Sequence, residues 1–587
     1  MANREQNGKA QELLSPVHSL FMGEVLEQQV FPYPEISQEQ KEMGQEMINA
    51  IQKFAKEHIH SAEFDEKAEI PLEVLAGMAE MGLFGLGVEE VFGGLELSYS
   101  LYCRTFSEIA GLDASLAATM GAHQSIGFKA LVNQGTAEQK KKWLPKLASG
   151  EHFASFCLTE PGSGSDAYSI KTKATLNKDG TYTLNGQKLW ITNAGLSEFY
   201  TVFCKTEHPE GEKISCFVVE KGTPGLSFGE REKKMGIKAS ETRAVFFDNV
   251  VVPAENLIGG LGKGFKIAME VLNTGRLSLG AGCVGGMKDV LKLATLHAKN
   301  RKQFGKSLAE FGLIQEKLSQ MSALTYATES LVYFTTGLMG KGMSDFSLEA
   351  AVCKVFGSEA MWKTIDMGMQ IAGGNGYMKE YPYERIMRDT RINLIFEGTN
   401  EILRCFLALG GVQGPSQKLK ELGKLTDISN VLNAPIKSLG LLTDFAKKRV
   451  SKAMHTKKLE KIHPRLEKYA EEYMTMVSAF AIEVEGALIK HGKKIVDQEL
   501  AQKRIADMVI DLYVLMAVFS RTTLVLENKK LSEADAEYYV GLTKITYRNL
   551  RQDFQMNLKH MKTNLDNTTQ KVSDAVCERE GYGLDVI

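Results

Sequence analysis

The middle of the chain holds a block of short segments rich in Val, Phe, Thr and Tyr. These segments read HFASFCLTE, TYTLNGQKLWIT, FYTVFCKT, ISCFVVE and AVFFDNVVVP, and turn formers such as Asn185-Gly186 separate them. This composition and punctuation are typical of short β-strands. The block therefore predicts a β-domain at residues 151–262, which ends in a glycine-rich stretch at Gly262.

Helical periodicity flanks this block on both sides. Apolar residues recur three or four positions apart at Met47, Ile51 and Phe54, and long amphipathic segments return after Phe265. A chain of 587 residues is also too long for one small core. The predicted fold class is therefore α+β and mainly α. The expected order is an N-terminal extension (1–35), an N-terminal helical domain (36–150), the middle β-domain (151–262), a helical bundle (263–410) and an additional C-terminal helical domain (411–587).

Charge, cysteine spacing and the N-terminal segment argue against several classes of protein. The formal net charge is −2, which is not typical of a nucleic-acid-binding protein. The eight cysteines form no CxxC pair or Cys/His cluster, so we expect no metal site and no disulfide framework. The first residues, MANREQNGKAQELL, contain acidic side chains and lack the apolar core of a secretory signal. We therefore expect a cytoplasmic protein without a membrane-spanning helix.

Four motifs occur in a fixed order in and after the β-block. They are FCLTEPGSGSDA (156–167), KLWITNAG (188–195), RKQFGKSL (301–308), and QIAGGNGY (370–377) followed by FEGTNEILR (396–404). Their sequence, order and spacing resemble the acyl-CoA dehydrogenase family. The early segment FMGEVLEQQVFPYPE and the extra C-terminal domain resemble the very-long-chain subgroup of that family. The resemblance implies FAD as the cofactor, a homodimer, and an acyl-CoA dehydrogenase-like fold of helical domain, β-domain and helical bundle.

Glu397 lies in the segment IFEGT, which matches the family's catalytic glutamate. Removal of a weakly acidic α-proton from an acyl thioester requires a carboxylate base in a desolvated position. An apolar neighbour, Phe396, and a glycine, Gly398, suit a base that approaches its substrate closely. By position alone, Glu397 is instead an acidic residue near the start of the helix predicted at residues 401–409. The resemblance favours catalysis.

The resemblance also assigns binding positions to individual residues. Those that match the family's FAD contacts are Phe156, Leu158, Thr159, Gly164, Ser165, Trp190, Ile191, Thr192, Arg301, Gln303, Phe304, Gln315, Gln370, Gly373, Gly374, Thr399 and Glu401. Those that match its substrate contacts are Ser165, Asn273, Arg276, Phe396 and Gly398. Considered without the resemblance, these residues have simpler interpretations. Trp190 would be a buried core residue, the Gly/Ser-rich turn in 156–167 an ordinary surface turn, and Arg301 and Gln303 solvated polar residues of a helix. The glycines near residue 374 follow no strand, so they do not form a dinucleotide-binding fingerprint.

Two further segments each have two interpretations. Around His123, which we expect to be structural, the small residues Gly121, Ala122 and Gly127 either leave room for a long acyl tail or permit close helix packing. Residues 436–455 form a basic amphipathic segment, which suits either peripheral contact with the inner face of a membrane or an ordinary packed helix.

The motifs together predict a flavoprotein of fatty-acid β-oxidation. The expected reaction is FAD-dependent α,β-dehydrogenation of a long-chain acyl-CoA to trans-2-enoyl-CoA, in which Glu397 takes the α-proton and FAD the β-hydride. An electron-transferring flavoprotein is the expected electron acceptor, and Arg301 with the loop 370–374 is expected to reach the FAD of a neighbouring subunit. Two alternatives are an acyl-CoA oxidase, which produces hydrogen peroxide, and an assembly or scaffold protein on the same fold.

Overall fold

The computed structural model describes residues 13–417 and 458–583, which form two compact units. The first unit contains Tyr33–Ile402 with Leu13 and Leu14. The second contains Ser15–Pro32 and the described residues from Leu403 onward. The basic amphipathic segment at 436–455 lies outside the described residues.

The α+β, mainly helical class predicted from the sequence is confirmed. In chain order, the α-helices are α1 (Pro16–Phe21), α2 (Glu27–Val30), α3 (Gln38–His58), α4 (Ser61–Lys67), α5 (Leu72–Glu80), α6 (Tyr99–Leu112), α7 (Ala114–Gly121), α8 (Lys129–Gln134), α9 (Ala137–Ala148), α10 (Gly264–Asn300), α11 (Gly312–Gly340), α12 (Ser347–Ala372), α13 (Gly374–Tyr377), α14 (Tyr383–Arg391), α15 (Asn400–Gly411), α16 (Glu467–His491), α17 (Glu499–Leu526), α18 (Glu533–Lys562) and α19 (Asp566–Glu578). The strands are β1 (Phe153–Cys157), β2 (Lys173–Leu176), β3 (Tyr182–Thr192), β4 (Ser197–Thr206), β5 (Lys213–Glu220), β6 (Leu226–Phe228), β7 (Thr242–Val252), β8 (Leu257–Ile258), β9 (Lys302–Gln303) and β10 (Lys306–Ser307).

Strands β1–β8 form one sheet in the first unit, with the order β6-β7-β3-β2-β4-β5-β8 and β1 parallel to β4. β3 and β7 pair antiparallel, and their register shifts between Lys188 and Ile191. Trp190 lies inside this irregularity with a φ of 56°. Such irregularities redirect a side chain away from the regular alternation of a strand. The end of β3 is therefore shaped differently from the rest of the sheet.

Both faces of β4 are covered, which explains why its segment FYTVFC is almost continuously apolar. On one face, Phe199 and Phe203 of β4 share a core with Trp143 of α9 and Val271 of α10. On the other face, Tyr200 shares a core with apolar residues of β3, β5 and β7. The sheet is thereby fixed to α10, which carries part of the site described below.

Helices α6, α10 and α12 approach one another closely because glycines face their contacts. A Cβ added to Gly285 of α10 would lie 1.8 Å from the carbonyl oxygen of Ser107 on α6. A Cβ added to Gly280 would lie 3.1 Å from the carbonyl oxygen of Cys353 on α12. Larger residues at these positions would force the helices apart, since protein interiors are close-packed. α10, 37 residues long, is thus held between α6 and α12.

In the second unit, α16 packs against α17 and α1. The rings of Tyr473 on α16 and Phe519 on α17 are 5.6 Å apart, and those of Phe480 on α16 and Phe21 on α1 are 5.0 Å apart. By length and composition α17 is apolar enough to cross a membrane, yet 78% of its apolar window is buried inside the fold. A helix that is apolar all round and buried is typical of a protein core.

Candidate active site

Glu397 lies in a short loop between α14 and α15 and has an uncommon backbone conformation. Its φ is 60°, and that of the next residue, Gly398, is 89°. A non-glycine residue in the left-handed region is sparsely populated and persists where its surroundings hold it there. The hydroxyl of Thr399 accepts a hydrogen bond from the backbone N–H of Ile402 at 3.3 Å. Thr399, and not Glu397, therefore caps the start of α15.

The Glu397 carboxyl group is desolvated. Although the residue as a whole is half-buried, its Oε2 atom is buried, and no residue in the described parts of the chain donates a hydrogen bond to that atom. A Cβ added to Gly275 of α10 would lie 2.6 Å from Oε2, so this glycine leaves room for the carboxyl group. Burial raises the pKa of Glu397 to about 7, against the opposing positive charges of Arg276 and Lys354. A base whose pKa lies near neutrality suits proton abstraction from carbon.

Arg276 of α10 contacts the backbone beside this carboxyl group. Its Nε donates a hydrogen bond to the carbonyl oxygen of Glu397 at 3.2 Å, and its Nη1 donates to Oδ1 of Asn273 at 2.9 Å. Asn273 and Arg276, the two α10 positions predicted to hold the CoA moiety, therefore lie beside each other and beside the predicted base.

A cavity of about 170 Å³ is lined by Glu397, Phe396 and small residues of α6, α7 and α10. On α10 its lining residues include Gly275, Ser278, Gly282, Gly286 and Asp289. These positions recur three or four residues apart and form one stripe, which at about 1.5 Å per residue is roughly 21 Å long. From α6 and α7 the small lining residues are Ala110, Gly111, Ala114, Ala117, Ala118 and Gly121. The glycine and alanine lining suits a long, narrow and apolar ligand, while Asp113, Asp289, Arg385 and Asp389 also line the cavity.

In the segment around His123, some residues have a structural role and others line the cavity. Both ring nitrogens of His123 hydrogen-bond to backbone atoms of α9 and β1 at 3.0 Å. Burial lowers the pKa of His123 to about 4, so the ring is neutral and structural. Gly121 and Ala122 line the cavity. A Cβ added to Gly127 would instead lie 2.5 Å from the carbonyl oxygen of Ala122, so Gly127 permits close packing.

The two β-domain segments that resemble FAD contacts are neighbours. The backbone N–H of Leu189 donates to the carbonyl oxygen of Thr159 at 2.9 Å, so the loop after β1 lies against the end of β3. Trp190 is 62% exposed, which rules out the alternative of a buried core tryptophan. Thr192 lines the cavity that contains Glu397. The remaining matched residues here are Phe156, half-buried in β1, Leu158 and Ile191, both buried, and Gly164 and Ser165, both in an exposed turn.

A buried ion pair joins the loop after β1 to the end of β3. Nζ of Lys188, in β3, lies 2.7 Å from Oε1 of Glu160 and donates to the carbonyl oxygen of Leu158 at 3.1 Å. The Glu160 carboxylate also accepts a hydrogen bond from the hydroxyl of Thr172 at 2.6 Å. Burial of these charges is tolerated because each is paired and hydrogen-bonded.

The other residues that resemble FAD contacts lie outside the cavity lining. Arg301, Gln303 and Phe304 belong to the exposed β9–β10 hairpin, and Phe304 at its tip is 94% exposed. Gln315, Gln370, Gly373 and Gly374 are also exposed, whereas Thr399 and Glu401 lie at the start of α15 beside Glu397. One chain thus brings Glu397, Arg276, Asn273, Phe396 and Thr192 together. It leaves the hairpin at the surface, together with Gln370, Gly373 and Gly374, which lie where α12 ends and α13 begins and not in the predicted loop.

Sequence reasoning missed two kinds of residue at this site. Lys354 is fully buried on α12 and donates a hydrogen bond to the carbonyl oxygen of Gly398 at 2.8 Å. A lysine inside the apolar segment AAVCKVFG was the available signal. Asp289 and Arg385 line the cavity that contains Glu397. Nothing in their local sequence indicates this, because the cavity is made by distant segments.

Comparisons with known proteins agree with this geometry. The chain matches "Acyl-CoA dehydrogenase, N-terminal domain" at residues 38–151, the "middle domain" at 155–250, the "C-terminal domain" at 262–410, and "ACAD9/ACADV, C-terminal domain" at 464–582. It is 44% identical over 516 residues to the human "Very long-chain specific acyl-CoA dehydrogenase, mitochondrial", covering 86% of this chain and 78% of the relative. The crystal structure of an acyl-CoA dehydrogenase complexed with FAD from Bacillus anthracis superposes with a TM-score of 0.79 at 34% identity, covering 92% of this chain and 91% of that one. A chain of a structure described as an electron transferring flavoprotein of Acidaminococcus fermentans has a TM-score of 0.62 at 35% identity, covering 65% of this chain and 99% of that one.

Proposed function

This chain belongs to the acyl-CoA dehydrogenase family, and we propose that it oxidises long-chain acyl-CoA thioesters with Glu397 as the catalytic base. It is an FAD-dependent oxidoreductase that dehydrogenates acyl-CoA in fatty-acid β-oxidation. One observation carries the assignment of the base. The Glu397 carboxyl group, buried and without a hydrogen-bond donor to Oε2 in the described chain, lines a cavity in which many of the wall residues are small.

The exposed residues of the β-domain fit FAD. The ring of Trp190 is exposed next to the cavity-lining Thr192, and the turn at Gly164 has open space around it. Such turns offer backbone N–H groups and hydroxyls to a phosphate or a flavin. We assign Thr159, Ser165, Trp190 and Thr192 to the flavin side of the site. When bound, FAD supplies the acceptor for the β-hydride.

In the proposed reaction, Glu397 accepts the α-proton of the substrate. The α-C–H bond of the thioester breaks, and the proton passes to the Glu397 carboxylate, which becomes a neutral carboxylic acid. The electron pair of that bond stays with the substrate and forms the α,β double bond as the β-hydrogen leaves as a hydride. Arg276 stays in place during this step because its guanidinium holds the Glu397 carbonyl oxygen and Asn273. The apolar wall around the carboxylate excludes water, which keeps the base reactive and limits competing proton transfers.

The shape of the cavity supports a long-chain acyl group as part of the substrate. Its α10 stripe extends roughly 21 Å from Gly275, beside Glu397, toward Asp289. Glycine, alanine and serine along the walls leave this length open. We therefore place the thioester at the Glu397 end and the alkyl tail along α10.

Three further aspects of the function are part of the proposal. An electron-transferring flavoprotein is the electron acceptor, in keeping with the likeness to the Acidaminococcus fermentans chain. The working form is a homodimer. The cytoplasmic location expected from the N-terminal sequence stays a prediction, and the human relative is named as mitochondrial.

Replacement of the base tests the proposed mechanism. Glu397→Gln keeps the size of the side chain and removes its ability to accept the proton, so bleaching of the flavin by a long-chain acyl-CoA should slow by about 10²–10⁴-fold. FAD content and acyl-CoA affinity should change much less. Glu80→Gln, at an exposed position on α5, is the matched control and should bleach normally.

Each contrary outcome has a separate meaning. Near-normal bleaching by Glu397→Gln would assign the proton to another residue. Loss of FAD from this variant would make Glu397 structural. Rapid hydrogen peroxide formation by the wild-type protein would indicate an acyl-CoA oxidase instead.

A further inference from the structure

Lys354, in the N-terminal third of α12, is a fully buried lysine. Its Nζ donates hydrogen bonds to the carbonyl oxygen of Gly398 at 2.8 Å and to Oδ1 of Asn400 at 2.7 Å. The amide of Asn400 in turn donates to Oγ of Ser358 and to Oε1 of Glu359, both at 3.1 Å. Burial of an ammonium group is costly unless it is hydrogen-bonded and compensated, so these contacts define its position.

The residues that Lys354 holds are the ones that follow the base. Glu397 and Gly398 both have positive φ, at 60° and 89°, which is an unfavourable conformation for a glutamate. Arg276, from α10, donates to the carbonyl oxygen of Glu397, and Lys354, from α12, donates to that of Gly398. Two buried cations on two helices therefore hold two consecutive carbonyl groups of the same loop. Such paired restraints are what a strained backbone needs in order to persist.

The charges around Lys354 are coupled to the base. Burial lowers the pKa of Lys354 to about 8, while the carboxylate of Glu397 raises it. The other groups that act on its pKa are Cys283 and Arg276 of α10 and Glu401 of α15. In the opposite direction, the positive charge of Lys354 lowers the pKa of Glu397, after the larger effect of burial and that of Arg276.

From these contacts we propose that Lys354 is a positioning residue for the catalytic base: it fixes the backbone of residues 397–400 so that the Glu397 carboxyl group faces the cavity. This inference rests on the proposed role of Glu397 and adds a residue that does not itself line the cavity. The sequence motifs of the site do not include Lys354, because it acts on the backbone of the motif from another helix.

A substitution at Lys354 distinguishes a role in positioning the base from a general effect on the stability of the fold. Lys354→Met keeps the length of the side chain and removes both hydrogen bonds and the charge. Misplacement of the base by a fraction of an ångström to one ångström should slow flavin bleaching by about 10–100-fold, with FAD retained and KM for acyl-CoA little changed. Because a nearby cation lowers the pKa of a carboxylic acid, its removal should also move the midpoint of the rate–pH profile upward by roughly one unit.

The matched control is Lys363→Met, which removes an exposed lysine from the same helix and should alter neither the rate nor the midpoint. If Lys354→Met does not fold, Lys354→Gln replaces it in the experiment, because glutamine retains a hydrogen-bond donor but carries no charge. The midpoint of its rate–pH profile should shift upward in the same way. A folded Lys354 variant with a normal rate and an unchanged midpoint would overturn the inference. The proposed function fails separately, by normal bleaching in Glu397→Gln.

Discussion

Glu397 illustrates at the scale of one residue how the environment proposed for a catalytic base lowers the stability of the fold. Its pKa is about 7 in the folded chain, against an ordinary value of 4.5. Below pH 4.5 the group is protonated in both the folded and the unfolded state, so it has no effect on stability. As the pH rises from 4.5 to 7 the unfolded chain releases the proton first, and folding becomes less favourable. Above that window a penalty of roughly 3 kcal/mol persists.

Glu397→Gln should therefore be more stable than the wild-type protein at pH 8, by up to about 3 kcal/mol, and should gain little at pH 5. The physical reason is that glutamine has no proton to release. Thermal unfolding of both FAD-saturated proteins at the two pH values measures the difference. An equal gain at pH 5 and pH 8 would show that the carboxyl group of Glu397 is not responsible. Over the same range, the bleaching rate of the wild-type protein should rise with pH as Glu397 ionises.

The residue scale also shows what the sequence was able to predict. Glu397, Asn273 and Arg276 were placed together because short motifs carried their resemblance. Trp190 was ambiguous, since a tryptophan in a strand is commonly buried, and only the register shift of β3 explains its exposure. Lys354 was missed because its role depends on hydrogen bonds to a loop 44 positions further along the chain. Burial and such contacts are properties of the tertiary fold.

At the scale of elements, a buried ion pair joins two segments of the β-domain. The pair of Lys188 and Glu160 joins the end of β3 to the loop after β1, and the first of these segments also carries Trp190 and Thr192. The sequence predicted strands in this region because turn formers separate its β-branched and aromatic segments. It did not predict the ion pair, since the two charges are 28 residues apart in the chain.

Lys188→Met should destabilise the β-domain by about 3–5 kcal/mol, because it leaves the buried carboxylate of Glu160 without its partner. FAD affinity should fall together with stability, since the two segments predicted to contact the flavin lose both side-chain contacts that Lys188 makes between them. Lys173→Met is the matched control, because Lys173 pairs with Glu212 at the surface and exposed pairs contribute at most about 1 kcal/mol. Urea unfolding and FAD titration measure both effects. Equal losses in the two variants would refute a special role of the buried pair.

The α10 stripe sets the length of the cavity. A Cβ added to Gly282, on the cavity wall, would lie 3.1 Å from Cε1 of Phe106. Gly282→Leu should therefore block the middle of the cavity. Oxidation of a sixteen-carbon acyl-CoA should fall by at least about tenfold, whereas a four-carbon acyl-CoA should be oxidised as before. Gly340→Leu, at a helix end with open space, is the control. Equal losses for both chain lengths would place the alkyl tail elsewhere.

At the scale of the whole molecule, the described chain exposes several residues that sequence reasoning assigned to FAD. Phe304 is 94% exposed, and Tyr377, at the end of α13 and close to Gly373 and Gly374, is 81% exposed. Apolar side chains exposed singly are ordinary at a protein surface, so the role expected of these residues rests on the family resemblance. Neither the hairpin nor the junction of α12 and α13 lines the cavity with Glu397. Their exposure is what a site completed by a neighbouring subunit would require.

Mixing two inactive variants tests shared sites directly. Arg301→Ala removes the guanidinium predicted to bind the neighbour's FAD, and Glu397→Gln removes the base. In a mixed dimer with shared sites, one site has both residues intact, so re-equilibrated mixtures should recover roughly a quarter of the wild-type activity. If each site uses the Arg301 of its own chain, both sites of the mixed dimer carry a lesion and no activity returns. Subunit exchange is verified with an affinity tag on one variant. Lys302→Ala, the adjacent exposed cation, is the control and should retain both FAD and activity on its own.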